Sequence, residues 1–367
     1  MPQPLENARH SRPSANPKAR RWAWAICLAA TMGVAAAAPP KRHPTKPTPA
    51  ETYRANPEAM AWADTAAREQ GWDPAAVRAL LGQAVRQASV IRLVKPATQA
   101  PSKNWAVYRT RFVEPKRIAA GLAFWQQHEA TLQRAEQVYG VPPWLVVGII
   151  GVETLYGRHT GQYRVLDALA TLAFDFPDEH PRAAQRRAFF QGELLAFLQL
   201  VRTTNTPAER WLGSYAGALG LPQFMPSSWQ RHAVDFDGDG RIDLQGSAAD
   251  AIGSVARYMH AHGWVPGVDT HQAIELDGQV RDLDTLLQPD ILPTWSVDRL
   301  LSQGVPVKGE HMAQAGPLAL VKLENGGAAP TYVVGTGNFY TVTRYNWSSY
   351  YALAVIELGQ AIAQQRR

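Results

Sequence analysis

The segment from Val141 to Gly157 places a carboxylate where a helix should bury hydrocarbon. Pro142-Pro143 suits a first helical turn and Gly157 a helix end, so the segment reads as one helix. At helical spacing Glu153 shares a face with Val146, Ile149, Ile150 and Tyr156, the stripe that turns toward a core. A carboxylate there is either paired or neutral. Unpaired, it loses the hydration that stabilises its charge, its pKa rises, and it becomes suited to donating a proton. The competing reading is a glutamate at the edge of the stripe, satisfied by an arginine or a backbone amide, because structural ion pairs also perturb carboxylates.

A second dense stretch is Ser214-Tyr215-Ala216-Gly217-Ala218-Leu219-Gly220-Leu221-Pro222-Gln223-Phe224-Met225-Pro226-Ser227-Ser228-Trp229. Its small residues let backbone come close to a ligand, and Ser214, Gln223 and Ser227 offer hydrogen bonds. The glycines alone describe a tight helix-packing turn; joined to Glu153, the pattern is much more specific. A third stretch, Asp235-Phe236-Asp237-Gly238-Asp239-Gly240-Arg241-Ile242-Asp243-Leu244, has oxygens at alternate positions, glycine at the sixth and Arg241 at the seventh, the start of a calcium loop. The pattern breaks at the twelfth position, where Gly246 replaces the usual bidentate glutamate. An Asp/Gly turn without metal is the alternative, but three crowded carboxylates repel one another unless a cation joins them, which favours calcium in a structural role. His159, His180, His232, His260 and His262 show no zinc spacing, and no Gly-x-Ser-x-Gly elbow starts a serine triad.

The elements that must position these groups are mostly helices. Amphipathic runs cover Pro57 to Glu69, Asp73 to Arg86 and Pro115 to Tyr139, the last carrying Trp125 and Leu132 inward. Residues 138–264 stay mainly helical but dense in glycine-bearing turns, the kind of loop that carries function. From 265 the pattern becomes strand-like in Leu318 to Leu323 and Thr331 to Val334, and Asn325-Gly326 between them signals a hairpin. A last helix spans about Ser348 to Gln364. The expected fold class is mainly α (α+β), divided into 52–137, 138–264, a small β subdomain over 265–345 and a terminal helix over 346–367.

The amino terminus reads as targeting information. Arg20-Arg21 precedes an apolar run from Trp22 to Ala37 that is too short to span a bilayer, and small residues lead up to Pro39, so residues 1–38 are expected to be a cleaved export signal. The only cysteine, Cys27, lies there after Ile26, where a lipidation site wants a small residue, so no stable membrane anchor is expected. Residues 39–51 form a Pro-rich linker. Residues 1–37 hold five basic side chains and one acidic, so removing them takes the formal charge from +6 to +2, which leaves no electrostatic footprint for nucleic acid. Ten of the twelve tryptophans remain, and aromatic faces suit sugar rings as well as cores.

Gly151-Val152-Glu153-Thr154 with Tyr156-Gly157, followed by Ser214 to Gly217 and Gln223 to Ser228, resembles the lytic murein transglycosylase B family. Val165 to Phe174, Asn338-Phe339-Tyr340 and Arg344-Tyr345-Asn346 fit it too, so the likeness runs from about residue 52 to the end. It implies a lysozyme-like helical core in a periplasmic enzyme that cleaves the MurNAc–GlcNAc β-1,4 bond of peptidoglycan glycan strands and leaves 1,6-anhydro-MurNAc, with other cell-wall enzymes as further partners. Glu153 would protonate the glycosidic oxygen and then take the C6 hydroxyl proton, assisted by the substrate N-acetyl group. Ser214 would sit beside the carboxylate or the N-acetyl group, and Gln223, Tyr258, Asn338 and Tyr345 would line the cleft. In the metal loop Asp250 would close a site begun by Asp235, Asp237 and Asp239, although one extra residue intervenes. Arg186 and Arg187 suit substrate carboxylates or form a solvated basic face; the connection at 177–185 is longer than the family's, so which of them aligns is open. Two rivals remain: a lysozyme-type hydrolase with Asp167 or Asp175 as the second carboxylate, and a non-catalytic peptidoglycan-binding protein.

Overall fold

The computed structural model describes residues 52–96, 103–276, 278 and 280–366; the expected signal and linker lie outside them. Helices α1 (Pro57–Gln70) and α2 (Pro74–Leu81) begin with proline after Asn56 and Asp73, whose side chains accept hydrogen bonds from the first free amides. Then follow α3 (Ala88–Val94), α4 (Trp105–Thr110), α5 (Pro115–Gln127) and α6 (Glu129–Tyr139). The run expected from Pro115 to Tyr139 is thus two helices, because His128 leaves helical geometry at φ −116° and ψ 23°. Leu132 is fully buried as expected, but Phe124 takes the inward place and Trp125 is half-buried under the Arg366 guanidinium.

The centre of the molecule is α7 (Pro143–Thr154), buried on every side from Leu145 to Val152. A short antiparallel pair, β1 (Tyr163–Arg164) with β2 (Leu212–Gly213), brackets α8 (Val165–Phe174) and α9 (Ala183–Thr203). Helices α10 (Pro226–His232) and α11 (Ala248–Ala261) complete the middle of the chain.

The remaining elements are β3 (His271–Ile274), α12 (Leu283–Leu287), α13 (Val297–Ser302), α14 (Glu310–Gln314), β4 (Ala319–Asn325), β5 (Ala328–Gly335), α15 (Gly337–Thr343) and α16 (Ser349–Arg366). The three strands form an antiparallel sheet in the order β3-β5-β4. Both glycines of the expected Asn-Gly turn have positive φ, 63° and 103°, as a tight hairpin requires. Alternation along the strands splits the sheet between two cores: Val321, Leu323 and Val333 join the main one, while Leu320 and Val334 cover a small one with Leu286, Leu300 and Val305. The mainly helical fold with a small sheet agrees with the expected class.

Helix α16 returns from the sheet to lie against α7. The two backbones touch through glycines: a Cβ added to Gly148 would lie 2.4 Å from the Val355 carbonyl oxygen, and one on Gly359 2.2 Å from that of Trp144. This close approach fixes what the end of α7 faces.

Candidate active site

Helix α7 stops at Thr154, three residues before Gly157, because Leu155 and Tyr156 turn into left-handed geometry at φ 50° and 57°. Glu153 therefore sits in the last helical turn, at the floor of a groove. The Thr154 hydroxyl donates to the Leu221 carbonyl at 3.0 Å and accepts from the Gly157 amide at 3.0 Å, tying the helix end to the Ser214–Trp229 stretch. That stretch is a tight hairpin: the amides and carbonyls of Leu219 and Phe224 bond both ways at 2.8 and 3.0 Å, with Gln223 near its tip at φ 52°. Gln223 Nε2 donates to the Gly220 and Thr160 carbonyls at 2.9 and 3.1 Å, and Ser214 Oγ accepts from the Ala216 and Ala218 amides at 3.3 and 3.0 Å.

Glu153 keeps some accessible surface in the groove but lies deep among protein atoms. Burial pushes its pKa from the ordinary 4.5 up to about 7, opposed by a hydrogen bond from the Tyr351 hydroxyl to Oε1 at 2.6 Å. No charged neighbour contributes to that shift, and the partner of the carboxyl is a hydroxyl, not the arginine or backbone amide of the competing reading. Tyr351 is 2% exposed on α16 and stacks on Tyr345 at 6.3 Å, and the Tyr345 hydroxyl donates to the Pro222 carbonyl at 2.5 Å. Removing the donor with Tyr351→Phe should therefore raise the Glu153 pKa further. The alkaline fall of kcat/KM should move to higher pH, while kcat on the acidic side drops by no more than about tenfold. A pH–rate profile checks this, and an alkaline limb that stays put would remove Tyr351 from the site.

Two arms of the groove meet at Glu153 and Gln223. One, about 900 Å³, runs past Ser214, Tyr215, Tyr163, Phe112 and Arg117. The other, about 450 Å³, runs past Phe189, Phe224, Tyr258, Tyr345 and Trp347. A hollow of about 1020 Å³ between α9, α10 and residues 240–245 does not reach Glu153, and Gln199 and Gln230 in its wall are bonded to each other. The other carboxylates lining the arms are engaged. Glu114 caps α5, and Glu193 is buried with both oxygens on Ser227, at 2.7 Å to the hydroxyl and 2.9 Å to the amide.

Residues 55–360 match the family model described as the transglycosylase SLT domain. The chain belongs to this family. It is 43% identical over 324 residues to the membrane-bound lytic murein transglycosylase B of Escherichia coli (strain K12), covering 85% of this chain and 84% of that protein. Its fold is similar to that of the Escherichia coli lytic transglycosylase SLT35 in complex with calcium, with a TM-score of 0.73, 39% identity and coverage of 88% of this chain and 99% of that one. It is also similar to SltB3 from Pseudomonas aeruginosa in complex with NAG-anhNAM-pentapeptide, with a TM-score of 0.67, 28% identity and coverage of 83% and 79%.

Within this SLT transglycosylase chain, Glu153, Ser214, Gln223, Tyr258 and Tyr345 come to one groove. Tyr258 is nearly buried; its hydroxyl donates to the Arg344 carbonyl at 2.7 Å, and its ring stacks on His262 at 3.9 Å. Asn338 corrects the expectation. It is 1% exposed, with its amide oxygen on the Val265 amide and its nitrogen on the Val265 and Val268 carbonyls, so it braces the turn before β3 and does not line the cleft. Arg187 is a second correction: its guanidinium is taken up by the Phe176 carbonyl and Asp178, away from both arms. Arg186 lies one turn before Phe189 on α9, on the face that borders the shorter arm.

The two carboxylates considered for a hydrolase are also spent elsewhere. Asp167 accepts from the Val85 amide and Gln87 Nε2 and pairs with Arg164, and Asp175 holds Arg86 and the Tyr53 hydroxyl; together they tie the first helices to α8. Sequence reasoning missed Tyr351, whose only signal was an aromatic residue in the first turn of the last helix.

In the SLT transglycosylase's acidic loop, carboxylate oxygens of Asp235, Asp237 and Asp250 lie within 4.8 Å of one another. Asp250, the least expected ligand, is therefore in the cluster. Asp239 is not: it is half exposed and faces the Arg241 guanidinium at 3.6 Å; a guanidinium has no acceptor atom, so Arg241 has only its main-chain carbonyl to offer a metal. Gly238 and Gly240 at φ 81° and 89° let the loop curl so that three amides point at Asp235. Three carboxylates with a flexible oxygen-rich loop are a donor set for a hard cation such as calcium.

Proposed function

We propose that the protein is a lytic transglycosylase of the cell envelope that cuts the β-1,4 bond between MurNAc and GlcNAc in peptidoglycan and leaves 1,6-anhydro-MurNAc ends. The observation that carries this reading is one buried carboxyl, Glu153, poised at about 7 where two groove arms meet, with the neighbouring carboxylates engaged in the fold. Protonated Glu153 gives its proton to the leaving GlcNAc O4 as the C1–O bond breaks, and the substrate's acetamido oxygen stabilises C1. The carboxylate then takes the proton of the C6 hydroxyl while C6–O attacks C1, so no water is consumed and no second carboxylate is needed. Ser214 and Gln223, pinned by main-chain bonds beside the acid, are placed to meet polar substituents of the sugar. Mass spectrometry of fragments released from purified sacculi decides the reading: ends lighter by one water are expected, whereas reducing ends would make the protein a hydrolase and no release a binding protein.

Calcium held by Asp235, Asp237 and Asp250 is part of the proposal, with a structural role ahead of α11, the helix that carries Tyr258. Calcium at a hundredfold its Kd adds about 2.7 kcal/mol to folding stability. Excess chelator should accordingly lower Tm by several degrees in the wild type and leave Asp235→Asn unmoved, as differential scanning fluorimetry can record. Equal shifts in both proteins would reject the site. Export by a cleaved signal completes the reading, although the Escherichia coli relative is named membrane-bound. The mass of the mature amino terminus tests this, since a lipid-bearing Cys27 would overturn it. No single helix among the described residues is long and apolar enough to cross a membrane.

A further inference from the structure

The hollow between α9, α10 and residues 240–245, about 1020 Å³, takes no part in the chemistry at Glu153, yet it has the size of a ligand site. Its floor is apolar. Leu200, Trp211, Trp229 and Ala233 are buried there, the two indoles edge to face with centroids 5.2 Å apart. Ile242 lines the hollow at 37% exposure, and Leu212, 43% exposed, is tied to it by the bond from Gln245 Nε2 to the Leu212 carbonyl at 3.0 Å. The rim is polar and one-sided. The hydroxyls of Thr203, Thr204 and Thr206 donate to the Gln199, Leu200 and Thr204 carbonyls at 3.0, 2.7 and 3.3 Å. Gln230 Nε2 is spent on the Ala196 carbonyl and Gln199 Oε1, and Gln245 Nε2 on Leu212. Among the described residues nothing donates to those three hydroxyl oxygens, to Oε1 of Gln230 and Gln245, or to Asp243 Oδ2. Arg210 is exposed without a partner, and Arg241 meets only the exposed Asp239 at 3.6 Å.

A ligand that completes this rim must bring donors of its own. An anion has none and would face Asp243 and a row of acceptor oxygens; an ammonium ion has them but would meet Arg210 and Arg241. An uncharged polyol satisfies every part: hydroxyls for the open acceptors, oxygens for the two guanidiniums, and a C–H face for the indoles and Ile242. An N-acetylhexosamine is such a molecule, and glycan strands are built of it. We infer that the hollow is a second glycan site, which takes an uncharged N-acetylhexosamine unit of wall material that is not in the groove. Phe189 of the shorter arm and Thr203 of the hollow lie about 21 Å apart along α9 at the helical rise, so the two sites hold separate sugars. A protein anchored there keeps hold of the wall while the groove exchanges one cut end for the next. The inference rests on the proposed peptidoglycan substrate for the source of the sugar, and the chemistry of the hollow stands apart from Glu153.

The probe is chitotriose, an uncharged N-acetylhexosamine trimer without a peptide stem, titrated into Glu153→Gln while the indole N–H resonances are followed by NMR. Those of Trp211 and Trp229 should move on an isotherm of their own, separate from that of Trp347 in the shorter arm. Adding Arg210→Ala/Gln245→Ala, two exposed side chains of the rim, should weaken the Trp211 isotherm about tenfold and leave that of Trp347 where it was. Trp211 signals that stay put when Trp347 is saturated, or an isotherm indifferent to the double change, would overturn the site. With Glu153 intact, the double variant should raise KM severalfold more on insoluble sacculi than on short soluble strands. Equal changes in KM on the two substrates would overturn the anchoring. Absence of anhydro ends with the Trp211 isotherm intact would instead remove the transglycosylase reading and leave a sugar-binding hollow.

Discussion

Glu153→Gln should lower kcat for anhydro-end formation by about 10³-fold or more, because the amide keeps the shape of the acid but has no proton to give. The same variant should withstand heat better than the wild type at neutral and alkaline pH. Burial raises the folded-state pKa from 4.5 to about 7, so between these values the folded protein retains a proton that the unfolded chain has released. The stabilising contribution of Glu153 is full below 4.5, is lost as pH rises through about 7, and then levels off. Glutamine never ionises, so its Tm advantage should grow over that interval and then stay constant. Parallel thermal scans and muropeptide assays from pH 4 to 9 check both halves. A variant that retains activity, or a Tm difference that is flat with pH, would exclude Glu153 as a buried acid.

The second large effect concerns the contact that holds Tyr351 over Glu153. In a helix interior, alanine is favoured over glycine by up to about 1 kcal/mol. At Gly192 on α9 nothing lies within 4 Å of an added Cβ, so Gly192→Ala should gain about 0.5–1 kcal/mol. At Gly359 the same methyl meets the Trp144 carbonyl oxygen at 2.2 Å, a main-chain atom that cannot rotate away. Overpacking of this kind costs about 1–3 kcal/mol or more, which outweighs the propensity gain, so Gly359→Ala should be destabilised by about 1–2 kcal/mol net. It should also lose activity, since α16 must move off α7 and carry Tyr351 with it. Denaturant melts of the two variants side by side decide the point. A Gly359→Ala protein as stable as Gly192→Ala would mean that the helices do not touch.

What was legible in the sequence follows how local each cause is. Glu153 stands out because its apolar neighbours lie within two helical turns, and Ser214 and Gln223 because their loop is dense in small residues. Tyr351 is invisible at this range: its partner is 198 positions away, and only the Gly148–Gly359 approach brings them together. Asn338 and Arg187 were misplaced for a related reason. An amide or a guanidinium looks free for a ligand in a sequence, yet here Asn338 is consumed by main-chain groups and Arg187 by a carbonyl and a carboxylate, partners that only the folded chain supplies. The metal loop shows both sides of this. Its aspartates and glycines are readable by spacing, but whether Asp239 or Asp250 points inward depends on how the extra residue is accommodated.

The antiparallel seating of α16 on α7 also has a consequence in time. Glu153 and Tyr351 belong to one hydrogen-bonded unit, but the ribosome makes them nearly two hundred residues apart. A nascent chain that lacks α16 has α7 with one apolar face bare and its acid without the hydroxyl that tunes it. The hydroxyl that tunes Glu153 therefore arrives only when α16 has been synthesised and docked on α7. The acid of this wall-cutting enzyme thus waits for its tuning hydroxyl on a segment made nearly two hundred residues later.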